Sequence, residues 1–296
     1  PATTLFSILR WSQQLAPDPM MTASLVLIVG AGRQELPSAV TVLAASRALD
    51  LQRNFEVLPA PGEVGWLGAD ADVTIKVGGP RGPLTRVLWI FSDTLMSHYD
   101  ASTESRVLAN FTMPHNTLGL VECGLAVQCE PGARPSFFWR TDAPELQASS
   151  GAIVSFFERA GAPDQTYLWP MMGIPDLASG GDRALLLACE SGLVYLTCTE
   201  FVAVVVTNCS APSPLDWSYS TQLLPWVPNN TATASWSCCS AIALDPHNAS
   251  NVYLVGASRG ASAIARAAFD DLITHDWTQV SVRLCTVTYY ANRAHN

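Results

Sequence analysis

Positive charge is scarce in this chain. Lys76 is its only lysine, and Lys and Arg together number 16 against 25 Asp and Glu, for a formal net charge of −9 over 296 residues. An acidic surface of this kind repels phosphate backbones, and the sequence has no basic patch with interleaved aromatic residues. We therefore expect that the protein does not bind nucleic acid.

Metal and cofactor motifs are also lacking. The eight cysteines include no Cys-x-x-Cys pair and no Cys/His spacing of a zinc site. Neither a phosphate-binding glycine loop nor a His-Glu-x-x-His pattern occurs. The Gly-Ala-Gly segment at 30–32 lacks the third glycine and the βαβ context of a dinucleotide loop. The sequence therefore predicts neither a metal nor a cofactor.

What the chain does have is a hydrophobic, strand-like sequence. It is 49% hydrophobic and 14% charged, which favours a large core and argues against disorder. From Phe55 onward, short β-forming runs alternate with clusters of Gly, Pro, Asn and Ser. Units of the size of propeller blades can be drawn at 62–110, 114–160, 166–212 and 234–284. We therefore expect residues 55–296 to form one all-β domain.

The first 54 residues fit this pattern poorly. Their apolar run at 24–29 is far too short to span a bilayer, and it lacks the basic flank of a signal peptide. It indicates either a signal-like segment or a strand at the edge of the fold. Residues 37–51 have the partial apolar spacing of a short helix. We treat 1–54 as an N-terminal extension and expect no membrane span.

Two acidic segments stand close together in the sequence. The first carries Asp70 and Asp72, and the second is an apolar, aromatic strand over 86–95 that ends near Asp93. A turn rich in Gly and Pro at 78–83 separates them and predicts a hairpin. Two carboxylates held on a rigid sheet are the minimum requirement for glycoside hydrolysis. The structural alternative is that these Asp residues cap a turn and end a strand.

The order of these segments resembles the arabinanase-like five-bladed β-propeller glycoside hydrolases, and within them the endo-D-arabinanase branch, formerly a domain of unknown function. The matching motifs, in chain order, are Gly-Ala-Asp at 68–70, Leu-Trp-Ile-Phe-Ser-Asp-Thr at 88–94, Pro-His-Asn-Thr-Leu at 114–118, Leu-Trp-Pro-Met-Met-Gly at 168–173 and Asn-Val-Tyr-Leu-Val-Gly at 251–256. Two departures concern glycine. Ser92 stands where the family usually has Gly, and Ala71 stands where a second Gly is common.

The resemblance implies a β-propeller of the five-bladed type, truncated here to about four blades. It also implies an exported glycoside hydrolase that acts on a furanose-containing, arabinan-like polysaccharide or oligosaccharide. In this interpretation Asp93 is the general acid, because a buried aromatic strand favours the protonated form of a carboxyl group. Asp70 would be the base or nucleophile, and Asp72 could exchange roles with it.

The same resemblance proposes residues that bind the substrate. They are His115, Asn116, Trp169 and Trp66. Each has a structural alternative, since a lone histidine is commonly a satisfied core or surface residue and tryptophan packs well in cores. Glu122 and Glu190 could each supply a third carboxylate, or could lie on solvated strand faces.

A non-catalytic carbohydrate-binding or cell-surface propeller is the alternative function. Propellers host many activities, so resemblance of fold does not establish catalysis. Loss of the family glycines beside both acidic positions favours this alternative.

The cysteines and sequons bear on export. The even cysteine count is compatible with disulfides, and Cys123 with Cys129 or Cys189 with Cys198 could join neighbouring strands. Buried free thiols are the other possibility. Four Asn-x-Ser/Thr sequons, which would carry glycans in a eukaryote, also favour a secreted protein; they lie at Asn110, Asn208, Asn229 and Asn248.

Overall fold

The structure is a computed structural model, and it divides into two compact units, Pro1–Glu56 and Val57–Asn296. The residues that it describes are 5–7, 26–28, 59, 63–70, 72–100, 102–103, 105–107, 111–123, 129, 133–142, 152–163, 165–192, 198–224, 237–245, 247–258, 261–274 and 281–283. The first unit contains the antiparallel pair of β1 (Leu5–Ser7) and β2 (Val26–Ile28). The helix predicted over 37–51 lies outside the described residues.

Nearly all of the regular secondary structure in the described part of the second unit is strand. Its strands are β3 (Gly65–Ala69), β4 (Asp72–Gly79), β5 (Gly82–Phe91), β6 (Thr94–Ser97), β7 (Tyr99–Asp100), β8 (Ser105–Arg106), β9 (Thr117–Glu122), β10 (Ser136–Phe138), β11 (Arg140–Thr141), β12 (Ile153–Val154), β13 (Thr166–Pro175), β14 (Arg183–Gly192), β15 (Cys198–Thr207), β16 (Ser218–Leu223), β17 (Ser237–Asp245), β18 (Asn248–Ser258), β19 (Ala261–Ala268) and β20 (Ser281–Arg283). Two short helices accompany them, the 3₁₀ turn Pro214–Asp216 and α1 (Phe269–Ile273). None of the described helices is long and apolar enough to cross a membrane.

Three four-stranded antiparallel sheets organise this unit. The first sheet has the order β10-β9-β5-β4, the second β13-β14-β15-β16 and the third β17-β18-β19-β20. Their first strands in sequence are neighbours, since β13 contacts both β4 and β17. Antiparallel four-stranded sheets with adjoining first strands are the arrangement of propeller blades. The predicted all-β class is confirmed, although the described residues do not close a ring.

The second sheet is buried on both faces. Along β15, Val202, Val204 and Val206 pack into a core shared with the first sheet. The alternate residues Ala203 and Val205 pack into a separate core shared with the third sheet. A strand with two buried faces needs an almost continuous apolar run, which is what the sequence Phe-Val-Ala-Val-Val-Val at 201–206 supplies.

The first sheet draws its strands from both of the first two predicted units. The chain leaves the sheet after β5 to form the separate pair β3–β6, and it returns only at β9, which pairs with β5. The predicted boundary between 62–110 and 114–160 is therefore wrong. The unit 166–212 covers β13 to β15 of the second sheet but omits β16, and the unit 234–284 covers all four strands of the third sheet. In both sheets each strand pairs with its neighbour in sequence.

A fully buried arginine joins the first sheet to the loop that follows β15. Arg86 lies on β5, and its guanidinium donates to the carbonyl oxygens of Gly78, Cys209 and Ala211. The guanidinium carbon Cζ of Arg86 also lies over the Trp217 ring, 5.7 Å from its centroid. Because burial removes water from the charge, burial above all lowers the pKa of Arg86. The guanidinium thus takes the place of water for several backbone acceptors at once.

Replacing Arg86 should therefore be costly. We expect Arg86→Met to lower the free energy of unfolding by roughly 3 kcal/mol or more, because it leaves several buried carbonyl groups without a donor. The exposed Arg81, in the β4–β5 turn, supplies the control, and Arg81→Met should change stability by less than about 0.5 kcal/mol. Urea denaturation measures both values. Equal stabilities of the two variants would contradict this role for Arg86.

Both cysteine pairs singled out in the sequence are bonded. Cys123 joins Cys129, and Cys189 on β14 joins Cys198 at the start of β15, with Cα atoms 4.3 and 5.3 Å apart respectively. Cys209 is a free, buried thiol. Burial, with a smaller contribution from Asp182, raises the pKa of Cys209 to about 12.

These bonds make a testable prediction about thiols. Of the eight cysteines, four are in the two disulfides, so the unfolded and unreduced protein should show at most four free thiols (8 − 4 = 4). In the native protein, iodoacetamide at pH 9 should leave Cys209 unlabelled, because only the thiolate reacts. Unfolding should allow Cys209 to be labelled, because an unperturbed thiol has a pKa of about 8.5 and is mostly thiolate at pH 9. Mass spectrometry would contradict the prediction by finding more than four free thiols or native labelling of Cys209.

Candidate functional site

Two breaks in neighbouring strands face each other and form the centre of the site. One separates β3 from β4 at Asp70, and the other separates β5 from β6 at Ser92 and Asp93. The Asp70 N–H donates to the Asp93 carbonyl oxygen at 2.8 Å, and the Ser92 N–H donates to the Asp70 carbonyl oxygen at 3.1 Å. The predicted hairpin of β4 and β5 is present, and the backbones of Asp70 and Asp93 are direct neighbours.

Asp93 forms a pair with His115. Its Oδ1 lies 2.8 Å from Nδ1 of His115, and the two side chains are 16% and 22% exposed respectively. The segment that carries His115 is held beside β6, because the Thr94 N–H donates to the Pro114 carbonyl oxygen at 3.0 Å. The surroundings of Asp93 are therefore more polar than the sequence predicted. A carboxylate bound to Nδ1 fixes the orientation of the imidazole ring and leaves Nε2 for another partner.

Tyr167 packs flat against this histidine. The ring of Tyr167, at the start of β13, stacks on His115 with centroids 3.7 Å apart and an angle of 15° between the planes. Trp169 meets Tyr167 edge to face at 6.0 Å. Trp169 is partly buried, and its contact with Tyr167 makes it the third ring of an aromatic group that begins at His115. Tyr167 was missed by sequence analysis, although it stands two residues from Trp169 and so shares its side of the strand.

The other two acidic candidates differ in position. Asp70 lies in a bend outside either strand, and it is exposed. Asp72 is the first residue of β4 and pairs with Phe91 through the backbone. The two-residue period of an extended strand therefore does not relate Asp70 to Asp72. Ser92, which stands where the proteins that the sequence resembles usually have glycine, is not among the described residues with positive φ, so the break does not require glycine at this position.

Two of the predicted substrate-binding residues are buried. Asn116 is fully buried, and its amide donates to the Phe157 and Leu168 carbonyl oxygens and accepts from the Phe157 N–H. Trp66 is 9% exposed and stacks on Phe137 with centroids 4.1 Å apart. In this conformation both side chains hold strands together, so we leave them out of the candidate site.

The two additional glutamates, Glu190 and Glu122, differ in burial and in their partners. Glu190 is buried on β14, where its carboxylate receives hydrogen bonds from Nε and Nη2 of Arg159 at 2.5 and 2.9 Å. Hydrogen bonding to the Glu190 carboxylate above all raises the pKa of Arg159. Glu122 is exposed and lies 3.6 Å from the Arg86 guanidinium. Sequence analysis missed Arg159, because its partner is 31 residues away and the pair leaves no local pattern.

An open cleft of about 270 Å³ begins at His115. Most of the residues that line the cleft come from the segment 155–168. This segment is bound to His115, because the His115 N–H donates to the Ser155 Oγ at 3.0 Å. The lining residues are His115, Ser155, Glu158, Arg159, Ala162, Pro163, Gln165, Thr166, Tyr167, Leu168 and Glu190. Among the described residues, no group of three or more His, Cys, Asp or Glu side chains is placed to hold a metal ion. The cleft therefore presents polar side chains and one ion pair beside the Asp93–His115 pair.

The sequence contains a Gly-x-Ser-x-Gly pattern at 256–260. In serine hydrolases this pattern turns from a strand into a helix and exposes the serine. Here Ser258 ends β18 and pairs with Ala261 at the start of β19. The pattern is therefore followed by an antiparallel strand and not by a helix, so it does not match a nucleophile elbow.

Comparisons with known proteins give little further guidance. No protein-family profile and no curated protein sequence matches the chain. One solved structure that resembles it is a Bacteroides ovatus protein provisionally designated a hydrolase, with 15% identity and a TM-score of 0.47. The aligned part covers 76% of this chain and 53% of that protein, so the chain spans about half of its length. A likeness at this level defines neither family nor function.

The Arg159–Glu190 pair provides a test of how the cleft wall is built. Arg159→Met should lower the free energy of unfolding by about 3–5 kcal/mol, because it leaves the Glu190 carboxylate buried and uncompensated. The double variant Arg159→Met/Glu190→Met should recover most of that loss, since it also removes the buried charge. Thermal and urea denaturation would supply the values for a double-mutant cycle.

The exposed Arg134 supplies the matched control, and Arg134→Met should be close to neutral. A double variant no more stable than Arg159→Met would contradict the assignment.

Proposed function

We propose that this protein is a glycoside hydrolase that acts on a furanose-containing, arabinan-like polysaccharide. The observation that carries the proposal is the Asp93–His115 pair, which lies at an open polar cleft and has the backbone of Asp70 as its direct neighbour. A pair of acidic side chains beside a cleft is the equipment that this reaction needs. The choice of a furanose polymer is supported by the sequence resemblance alone.

The proposed roles are those that the sequence resemblance implies, and the pairing of Asp93 with His115 supports them. Asp93 in its protonated form gives its proton to the departing glycosidic oxygen, while His115 holds the carboxyl group through Nδ1. Asp70 attacks the anomeric carbon or removes a proton from the attacking water, and Asp72 remains the alternative for this step. In either case water supplies the hydroxyl group of the new sugar end, and the proton that the water loses replaces the one that Asp93 gave to the leaving group. Carboxyl groups about 5 Å apart would retain the anomeric configuration, and a separation of about 6.5–9.5 Å would invert it.

A non-catalytic carbohydrate-binding protein is the second candidate. The observation that favours it is the exposure of Asp70, because an attacking carboxylate is expected to face the acid across the substrate. The same cleft and aromatic group would then bind sugar without cleaving it. The two candidates differ in one outcome, the release of oligosaccharides.

We further propose that the protein is exported. Disulfides persist in oxidising compartments, and both described pairs are bonded. Two of the four sequon asparagines are described, and both Asn208 and Asn248 are exposed. These features support a secreted or extracellular location.

Substitution of the two acidic residues tests the proposed roles. On the polysaccharide, Asp93→Asn should lower turnover by about two to four orders of magnitude, because it removes the proton donor. On an aryl glycoside with a good leaving group the loss should be much smaller, since that bond needs little protonation. Asp70→Asn should impair both substrates alike, because both require attack at the anomeric carbon.

The exposed Asp216, in the 3₁₀ turn, provides the control, and Asp216→Asn should retain wild-type turnover on both substrates. If Asp70→Asn is silent and Asp72→Asn inactive, the two roles are exchanged. Full activity of all three variants at positions 70, 72 and 93 would show that this site is not catalytic.

A further inference from the structure

We infer that the cleft beside His115 is a subsite that binds one uncharged, hydroxyl-bearing sugar unit, with Gln165 as a residue that contacts it. This inference rests on the proposed function. It specifies where the substrate binds and which class of substrate does not bind. None of the matching sequence motifs includes Gln165, Glu158 or Arg159.

The size of the cleft suits a small ligand. Its volume of about 270 Å³ lies just below the ~300–1,000 Å³ of pockets that hold drug-sized molecules. Because His115 both lines the cleft and binds Asp93, a unit seated here would lie directly next to the proposed acid. The cleft therefore has room for one sugar ring adjoining the bond to be cleaved.

The lining offers both donors and acceptors. The Gln165 amide, the Glu158 carboxylate and Nη1 of Arg159 have no hydrogen-bond partner among the described residues, and all three side chains line the cleft. A sugar hydroxyl can donate and accept at once, so it can use an amide, a carboxylate and a guanidinium together. A purely apolar ligand would leave these groups unsatisfied.

The balance of charge favours a neutral ligand. Among the described lining residues, the single guanidinium is that of Arg159. It is already paired with Glu190 through two hydrogen bonds, and Glu200 adds negative charge near it. Glu158 is exposed at the cleft and has no cationic partner among the described residues. A carboxylated or sulfated sugar would meet uncompensated negative charge, which is repulsive at short range. The subsite should therefore bind acidic polysaccharides more weakly than neutral ones.

The backbone of Gln165 gives independent support. Its φ of +63° lies in the left-handed region, where glycine is the residue of lowest strain. Strained non-glycine residues cluster at functional sites, where the side chain is needed. Gln165 is exposed, so its side chain contributes little to the core. The presence of a long amide side chain at a strained, exposed position is explained if the amide binds a ligand.

Gln165→Gly separates these effects. The substitution removes the amide and relieves the backbone, so the melting temperature should not fall. Binding of a thio-linked arabino-oligosaccharide, whose sulfur bridge resists hydrolysis, should weaken on the order of three- to tenfold, as expected for one or two lost hydrogen bonds. Asn208→Gly is the matched control, because Asn208 also has a positive φ, of 62°, but does not line the cleft. Its binding should match that of the wild type.

Isothermal titration calorimetry with two probes completes the test. The wild type should bind the neutral thio-linked oligosaccharide, and it should bind an oligogalacturonate of equal length at least tenfold more weakly. Unchanged binding by Gln165→Gly, equal binding of both probes, or no binding of the neutral probe would each overturn the inference. If binding behaves as expected but the oxygen-linked oligosaccharide is never cleaved, the subsite stands and the proposed catalysis falls.

Discussion

Burial of both faces of the second sheet is the constraint on which the rest of this domain depends. β14 and β15 have almost no solvent face, so one set of alternate residues must pack on the first sheet and the other on the third. Each fully buried Val, Leu or Phe contributes roughly 1.5–3 kcal/mol, and the two cores contain many of them. Removing either neighbouring sheet would expose a whole face. The packing therefore fixes the first sheet against the second, and Arg86 secures the edge of that contact.

The candidate site lies on the seam that this packing creates. Asp93 follows the end of β5 in the first sheet, whereas Tyr167 belongs to β13 in the second. His115 bridges them, because it binds the carboxyl group of Asp93 and stacks on the ring of Tyr167. Groups positioned by two rigid sheets keep their geometry without a ligand, which is what pre-organised catalysis or binding requires. The break at Ser92 and Asp93 separates β5 of the first sheet from β6 of the pair β3–β6, and it places Asp93 at the seam.

Much of this arrangement followed from the sequence, and the remainder has identifiable physical reasons. Strand periodicity predicted the all-β class, and the Gly/Pro turn predicted the hairpin that places Asp70 beside Asp93. The composition of the first sheet was not predicted, because strand pairing skips the segment from β6 to β8. Asn116 and Trp66 were assigned to substrate, but local sequence does not reveal that buried backbone groups engage Asn116. Arg159 and Gln165 were missed because an ion pair between distant residues and a positive φ leave no local pattern.

The most direct test of the central claim is release of oligosaccharides from a panel of arabinans and other plant, algal and mycobacterial polysaccharides. The account predicts that soluble oligosaccharides appear from a neutral, furanose-containing polymer, and that chromatography shows no release from acidic polymers of the panel. Binding to a neutral polymer without release of any product would contradict the catalytic claim and identify the protein as a carbohydrate-binding module.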